Sequence, residues 1–227
     1  MTTSSKSPFL LAGCGCLSFI VAMILFAFAF FSSGSLPSLS KSGSSTDDLV
    51  VYRNTREGRT GTLADHYVDF EFRYPRSWIL KPQDSDSSNF VTVERAIDGQ
   101  THENLNVGYF ATAGDKEKTQ ALYPQLIAQF QSQFAQQFRG LTKVSEGPAT
   151  VGSYDAWEGL FTSTTGEGDK RVNIYTRVIL LPTPDGTKGV SLLMIGTSLA
   201  PNLESAEDLG KKGELPAVIK SFRFRED

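Results

Sequence analysis

Residues 66–78 read HYVDFEFRYPRSW. Val68, Phe70, Phe72 and Tyr74 alternate with Asp69, Glu71 and Arg73. A period of two marks an amphipathic strand, here with an aromatic inner face. Pro75 lacks the N–H that a ladder needs and closes the strand. Trp78 and Ile79 open a second short strand, which Pro82 closes. The chain therefore enters its folded part through a sheet with one face buried.

Further along, FVTVERA (90–96) and LNVGYFAT (105–112) read as antiparallel partners, with turn residues in IDGQTHEN (97–104) between them. A helix follows. Leu122, Leu126, Phe130, Phe134 and Phe138 recur every four residues, and Tyr123 and Ile127 widen the stripe. Pro124 is expected in the first turn, where a proline is tolerated. Gly140 is placed to stop the helix. Four strand-like segments come next, over 143–151, 155–163, 170–181 and 189–199, with Pro184-Asp185-Gly186 as a turn between the last two. Pro216 opens a short helix, PAVIKSF. The order strands, helix, strands, helix, joined mainly by short turns, predicts an α+β fold: a largely antiparallel sheet covered by helices.

Phe9 to Phe31 form an apolar run without a charged side chain. At about 1.5 Å per helical residue it spans roughly 34 Å, enough to cross a hydrocarbon core of about 30 Å. Three readings compete. Leu11-Ala12-Gly13-Cys14 looks like a lipobox, although most of the apolar run follows the cysteine. Ala27-Phe28-Ala29 is an A-x-A cleavage pattern, although the run exceeds the usual signal-peptide core of about 7–15 residues. An uncleaved transmembrane anchor fits the length and the absence of charge. Lys6 and the α-amine place the N-terminus inside and the remainder exported, to a periplasm, a lumen or the cell exterior. Residues 32–46, mostly Ser and Gly, read as a tether. The expected division is a stub at 1–8, a membrane anchor in contact with lipid at 9–31, a Ser/Gly-rich linker and undefined lead-in at 32–61, and a globular domain at 62–227.

Residues 32–227 carry 21 basic against 25 acidic side chains. That mixed, mildly acidic balance argues against a nucleic-acid partner, which calls for a basic stripe. The two cysteines, Cys14 and Cys16, both lie in the apolar run. The globular part therefore has neither a disulfide framework nor a thiolate metal site.

Several segments together resemble PsbP-like domains. YVDFEFRYPRSW (67–78) resembles their F-x-Y-P-x-x-W opening strand. GPATVGSYDAWEGLFTS (147–163) resembles their mid-domain hairpin, and VIKSFRF (218–224) their closing helix running into Ser-Phe-x-Phe. LNVGYF (105–110) sits where that family carries strands like NLSV. The order and spacing of these pieces carry the resemblance over most of residues 62–225. It implies an antiparallel sheet between helices, an α/β/α sandwich. The family spans an extrinsic photosystem II subunit, bacterial membrane-anchored or lipoprotein relatives and a nuclear-import factor, so its fold does not fix a function.

Catalytic patterns are weak. His66 and His102, the two histidines, fall in separate segments without metal-ligand spacing. Asp84 to Asn89 lacks the further oxygen ligands, sharp-turn Gly and closing Glu of an EF-hand loop. Gly166 to Lys170 lacks the spacing of a phosphate-binding loop and reads as a hairpin turn. A Ser–His–Asp grouping drawn from distant segments stays open. No catalytic, cofactor or metal residue is assigned, and no cofactor is expected. The expected function is a membrane-tethered, non-enzymatic accessory or binding module that docks on a membrane complex or envelope partner. The alternatives are a small-ligand or metal sensor, an envelope hydrolase and a photosystem II accessory protein.

Overall fold

A computed structural model describes residues 48–84 and 87–225. The expected anchor at 9–31 and the tether that follows lie outside the described residues. Among the described residues no helix is long and apolar enough to cross a membrane.

In chain order the elements are β1 (Leu49–Asn54), α1 (Gly61–Asp65), β2 (Phe70–Pro75), β3 (Ile79–Pro82), β4 (Asn89–Ile97), β5 (Gln100–Phe110), α2 (Lys116–Ala135), β6 (Thr142–Val151), β7 (Tyr154–Thr165), β8 (Val172–Pro182), β9 (Gly189–Thr197), α3 (Leu215–Ser221) and β10 (Arg223–Phe224). Seven strands form one sheet in the order β3-β4-β5-β9-β8-β7-β6. Every neighbouring pair in it is antiparallel. After β5 the chain crosses through α2 to the far edge and returns strand by strand until β9 lies against β5. A smaller sheet, β1-β2-β10, is also antiparallel. Among the described residues the first strand, β1, starts at Leu49, within the expected lead-in.

Two cores result. In the first, Phe70, Phe72 and Tyr74 of β2 point from the small sheet onto the large one, with Phe90, Leu105, Val107 and Phe222. Phe70 is fully buried and meets Phe222 at 5.4 Å and Phe90 at 5.7 Å between ring centroids. Burying such a ring is worth about 1.5–3 kcal/mol over leaving it exposed. In the second, α2 lays Tyr123, Ile127, Phe130 and Phe134 on Phe110, Phe161, Val178, Leu180 and Leu193. Gly159 makes this approach feasible, since a Cβ there would lie 2.9 Å from Ile127 Cγ2.

The architecture corrects three expectations. One long helix covers one face of the large sheet. On the other face lie the small sheet, short α3 and the loop before it, rather than a second helical layer. The helix itself begins at Lys116, eight residues before Pro124. Asp115 caps it by accepting the Lys118 N–H at 3.0 Å, and the Thr119 hydroxyl accepts the Ala113 N–H. Pro124 therefore sits in the helix interior, on the exposed side, and leaves the Gln120 carbonyl without its helical donor. Third, a strict four-residue stripe drifts around a helix of 3.6 residues per turn. Tyr123 and Ile127 are buried accordingly, whereas Leu122 and Leu126 are half-buried flanks.

The β4–β5 hairpin is tighter than the sequence suggests. Only Asp98 and Gly99 form the turn, with φ of 52° and 76°, and residues 100–104 already belong to β5. An Asp-Gly pair suits this two-residue turn because both positions need positive φ.

Candidate functional site

On its β6 side the large sheet extends one strand beyond the cover of α2. On the α2 face of β7, Trp157, Gly159 and Phe161 share a parity. Phe161 and Gly159 lie under the helix, and Trp157 lies at its margin. Pro148 of edge strand β6 pairs with Trp157 in the ladder. Between the first turns of α2 and these strands an open groove of about 510 Å³ remains, lined by Gln120, Tyr123, Pro148, Thr150, Asp155 and Trp157 among others. Its size falls within the roughly 300–1,000 Å³ of small-molecule sites.

The rings of Tyr123 and Trp157 stack at 5.9 Å with 22° between their planes. The Trp157 indole N–H donates to Glu146 at 3.1 Å, and Lys143 pairs with the other oxygen of that carboxylate at 2.9 Å. Lys116 and Asp155 form an ion pair at 3.1 Å on the rim. The Tyr123 phenol is pushed up to about 12, chiefly by burial and secondarily by the nearby Asp155 charge, so its hydroxyl keeps its proton. That hydroxyl, the Gln120 amide and the Thr150 hydroxyl form no hydrogen bond with another described residue. The groove thus combines an aromatic floor, unengaged neutral polar groups and internally neutralised charges.

The histidines lie elsewhere. His66, exposed after α1, stacks on Tyr109 at 4.0 Å. His102 lies half-buried on β5, its pKa lowered by burial first and by Arg95 second, against an opposing Asp98. Neither lines the groove. Asp84 and Ser87 to Asn89 close the approach to β4, with the Asn89 N–H donating to Ser87 Oγ at 3.0 Å, while residues 85–86 of this loop lie outside the described residues. Among the described residues no three His, Cys, Asp or Glu side chains group as a metal site. Gly166 to Lys170 form the β7–β8 turn and a short 3-10 helix.

Two charged clusters were not anticipated from the sequence. Glu103 on β5 is fully buried, with Arg95 of β4 at 3.3 Å, and its second carboxylate oxygen lacks a partner. Burial, opposed by Arg95 and reinforced by Glu214, raises its pKa from 4.5 to about 7. The signal was present: Glu103 shares the parity of Leu105, Val107 and Tyr109, all core residues. Glu71 on β2 collects Arg53, Arg223 and Arg225. Burial there pushes the carboxyl up, yet the Arg223 hydrogen bond and the charges of Arg223 and Arg53 hold it below its ordinary value.

No protein-family model matches the chain, and no curated protein matches it. Solved structures do. Cyanobacterial PsbP (CyanoP) from Synechocystis sp. PCC 6803 superimposes with a TM-score of 0.52 at 15% identity, covering 85% of this chain and 100% of that one. The fold is PsbP-like. LpqN, involved in cell envelope biogenesis of Mycobacterium tuberculosis, gives a TM-score of 0.45 at 12% identity over 78% of this chain and 92% of its own. The strand side of the groove, from Pro148 to Trp157, lies in the mid-domain hairpin, residues 147–163, that carries part of the sequence resemblance, while α2 supplies Gln120 and Tyr123.

Proposed function

We propose that this chain is a membrane-tethered, non-enzymatic accessory module whose PsbP-like domain binds a partner in a membrane complex or the envelope. In this reading residues 9–31 span the bilayer with the N-terminus inside, and the domain is exported on a Ser/Gly tether. The observation that carries it is the Tyr123–Trp157 groove, which gathers aromatic surface and unengaged polar groups at one place on the domain. Convergent polar groups around an apolar floor are the usual composition of a recognition site.

Photo-cross-linking in intact cells tests the reading. A photoreactive residue at Thr150 is expected to give a discrete adduct. One at Ile97, exposed on the remote β4–β5 hairpin, is expected to give none. Filling the groove with Gln120→Trp should abolish the Thr150 adduct. Equal labelling at both positions, or none at either, refutes binding at the groove. Protease accessibility of the domain in intact cells against spheroplasts tests the placement.

A further inference from the structure

We propose that the groove binds a neutral saccharide, one ring of which packs on Trp157 beside Tyr123 and Pro148. The inference rests on the binding-module reading and names its ligand class.

Three observations select this chemistry. The aromatic surface is the half-buried Trp157 indole, backed by the buried Tyr123 ring stacked on it at 5.9 Å and next to an exposed proline. An aromatic face carries partial negative charge. The C–H bonds along one side of a sugar ring carry the opposite partial charge and match it in shape. Around this floor stand the Gln120 amide, the Tyr123 hydroxyl and the Thr150 hydroxyl, without partners among the described residues. These are neutral donors and acceptors of the kind that ring hydroxyls satisfy.

The third observation is the charge balance. Lys116 is paired with Asp155, and Lys143 with Glu146, whose carboxylate also accepts the indole N–H. The lining itself holds no Lys or Arg to complement a phosphate or carboxylate, the usual means of recognising such anions. An extended peptide fits less well. It would add to the free edge of β6, where Pro148 removes a donor and the register breaks between Lys143 and Ser145. Both features blunt a sheet edge against strand addition.

The test uses the full chain in a zwitterionic detergent, because sugar-headed detergents would compete. The protein has two tryptophans, Trp78 and Trp157, hence two indole N–H signals after 15N labelling, which Trp78→Phe assigns. Titration with neutral tri- and tetrasaccharides, gluco-configured and N-acetylated, is expected to shift the Trp157 signal and leave that of Trp78 in place. Tyr123→Phe, which removes only the hydroxyl, should weaken the affinity about two- to tenfold. Thr150→Trp, which fills the groove from an exposed position, should abolish the shift. Galacturonate oligomers and sugar phosphates are expected to bind more weakly.

Preference for the charged sugars, or a Trp157 signal that stays fixed with every neutral saccharide at tens of millimolar, overturns the proposal. If the Thr150 cross-link persists in that case, the binding module stands and only the ligand class fails. If the cross-link is absent as well, both readings fall.

Discussion

Glu103→Gln should make this protein more stable, by an amount that depends on pH. The carboxyl is fully buried under the loop before α3; among the described residues its ionic partner is Arg95 at 3.3 Å, and one of its oxygens has none. Its pKa rises from 4.5 to about 7, with burial the largest cause, Glu214 adding to it and Arg95 opposing it. In the unfolded chain Glu103 ionises near pH 4.5, whereas in the folded chain it keeps its proton until about pH 7. Between these values the folded state binds more protons, so stability falls as pH rises and levels off above pH 7. A shift of this size corresponds to about 3 kcal/mol. Glutamine keeps an oxygen for Arg95 and never ionises. The variant should match the wild type near pH 4.5 and exceed it by up to about 3 kcal/mol at pH 8. For a domain of this size that is a gain of roughly 6–12 °C in Tm. Urea unfolding of both proteins at half-unit steps from pH 4.5 to 8 measures the difference directly. A gap that stays constant with pH, or a variant less stable at pH 8, would refute the claim that Glu103 carries an unfavourable buried charge.

Three further outcomes follow from the helix and its seat. Pro124→Ala should raise stability by about 1–3 kcal/mol in chemical denaturation, because it restores the donor for the Gln120 carbonyl in a helix interior. Gly159→Ala should cost about 1–3 kcal/mol, since its Cβ would press Ile127 at 2.9 Å, and Ile127→Val in the same chain should recover part of the loss. Asp115→Ala should lower the Tm by removing the cap of α2. Its carboxyl is held below the ordinary value chiefly by the Lys118 N–H, so the cap's contribution is present above that ordinary value and fades as pH falls through the depressed one. A difference between Asp115→Ala and wild type that persists unchanged into strong acid would contradict this.

Strand identity was legible because burial and alternation coincide. In β2 the aromatic parity is the core parity, and all four strands from β6 to β9 fall within a few residues of their expected bounds. What the sequence hid depends on partners far along the chain. The outward Arg53 of β1 meets Glu71 only across the pairing with β2. The start of α2 was missed because no apolar residue marks the turn from Lys116 to Gln120; a cap and a buried threonine do. The second face of the sheet was expected to carry helices. The resemblance supplied that expectation, while the apolar faces of β1, β2 and α3 supply the actual cover. The groove could not be read from residues alone. Trp157 obeys the same alternation as Phe161, and only the lateral position of α2 leaves one covered and the other at a margin.

That lateral position also separates structural from recognitional chemistry. On the face toward the small sheet the large sheet buries two ion pairs. One is Arg95–Glu103. The other is Arg177–Glu158 at 2.8 Å, whose guanidinium also donates to the Leu209 carbonyl. Buried pairs of this kind offset their own desolvation only in part, and breaking one strands a charge. The Arg177 bond to the Leu209 carbonyl ties the loop before α3 to the sheet. On the opposite face α2 covers a mainly apolar patch up to Trp157, where cover ends and charges lie paired at the rim, while on β3 and β4 of that same face Lys81 pairs with the buried Glu94. A site at the margin of α2 lies on the face opposite the Arg95–Glu103 and Arg177–Glu158 pairs, so a neutral ligand can come and go there without disturbing either of them. Groove variants such as Tyr123→Phe should therefore change binding while leaving the pH dependence set by Glu103 intact. Sites this far apart are expected to act additively. A Tyr123→Phe protein whose stability no longer declines between pH 4.5 and 7 would show that the two faces are coupled.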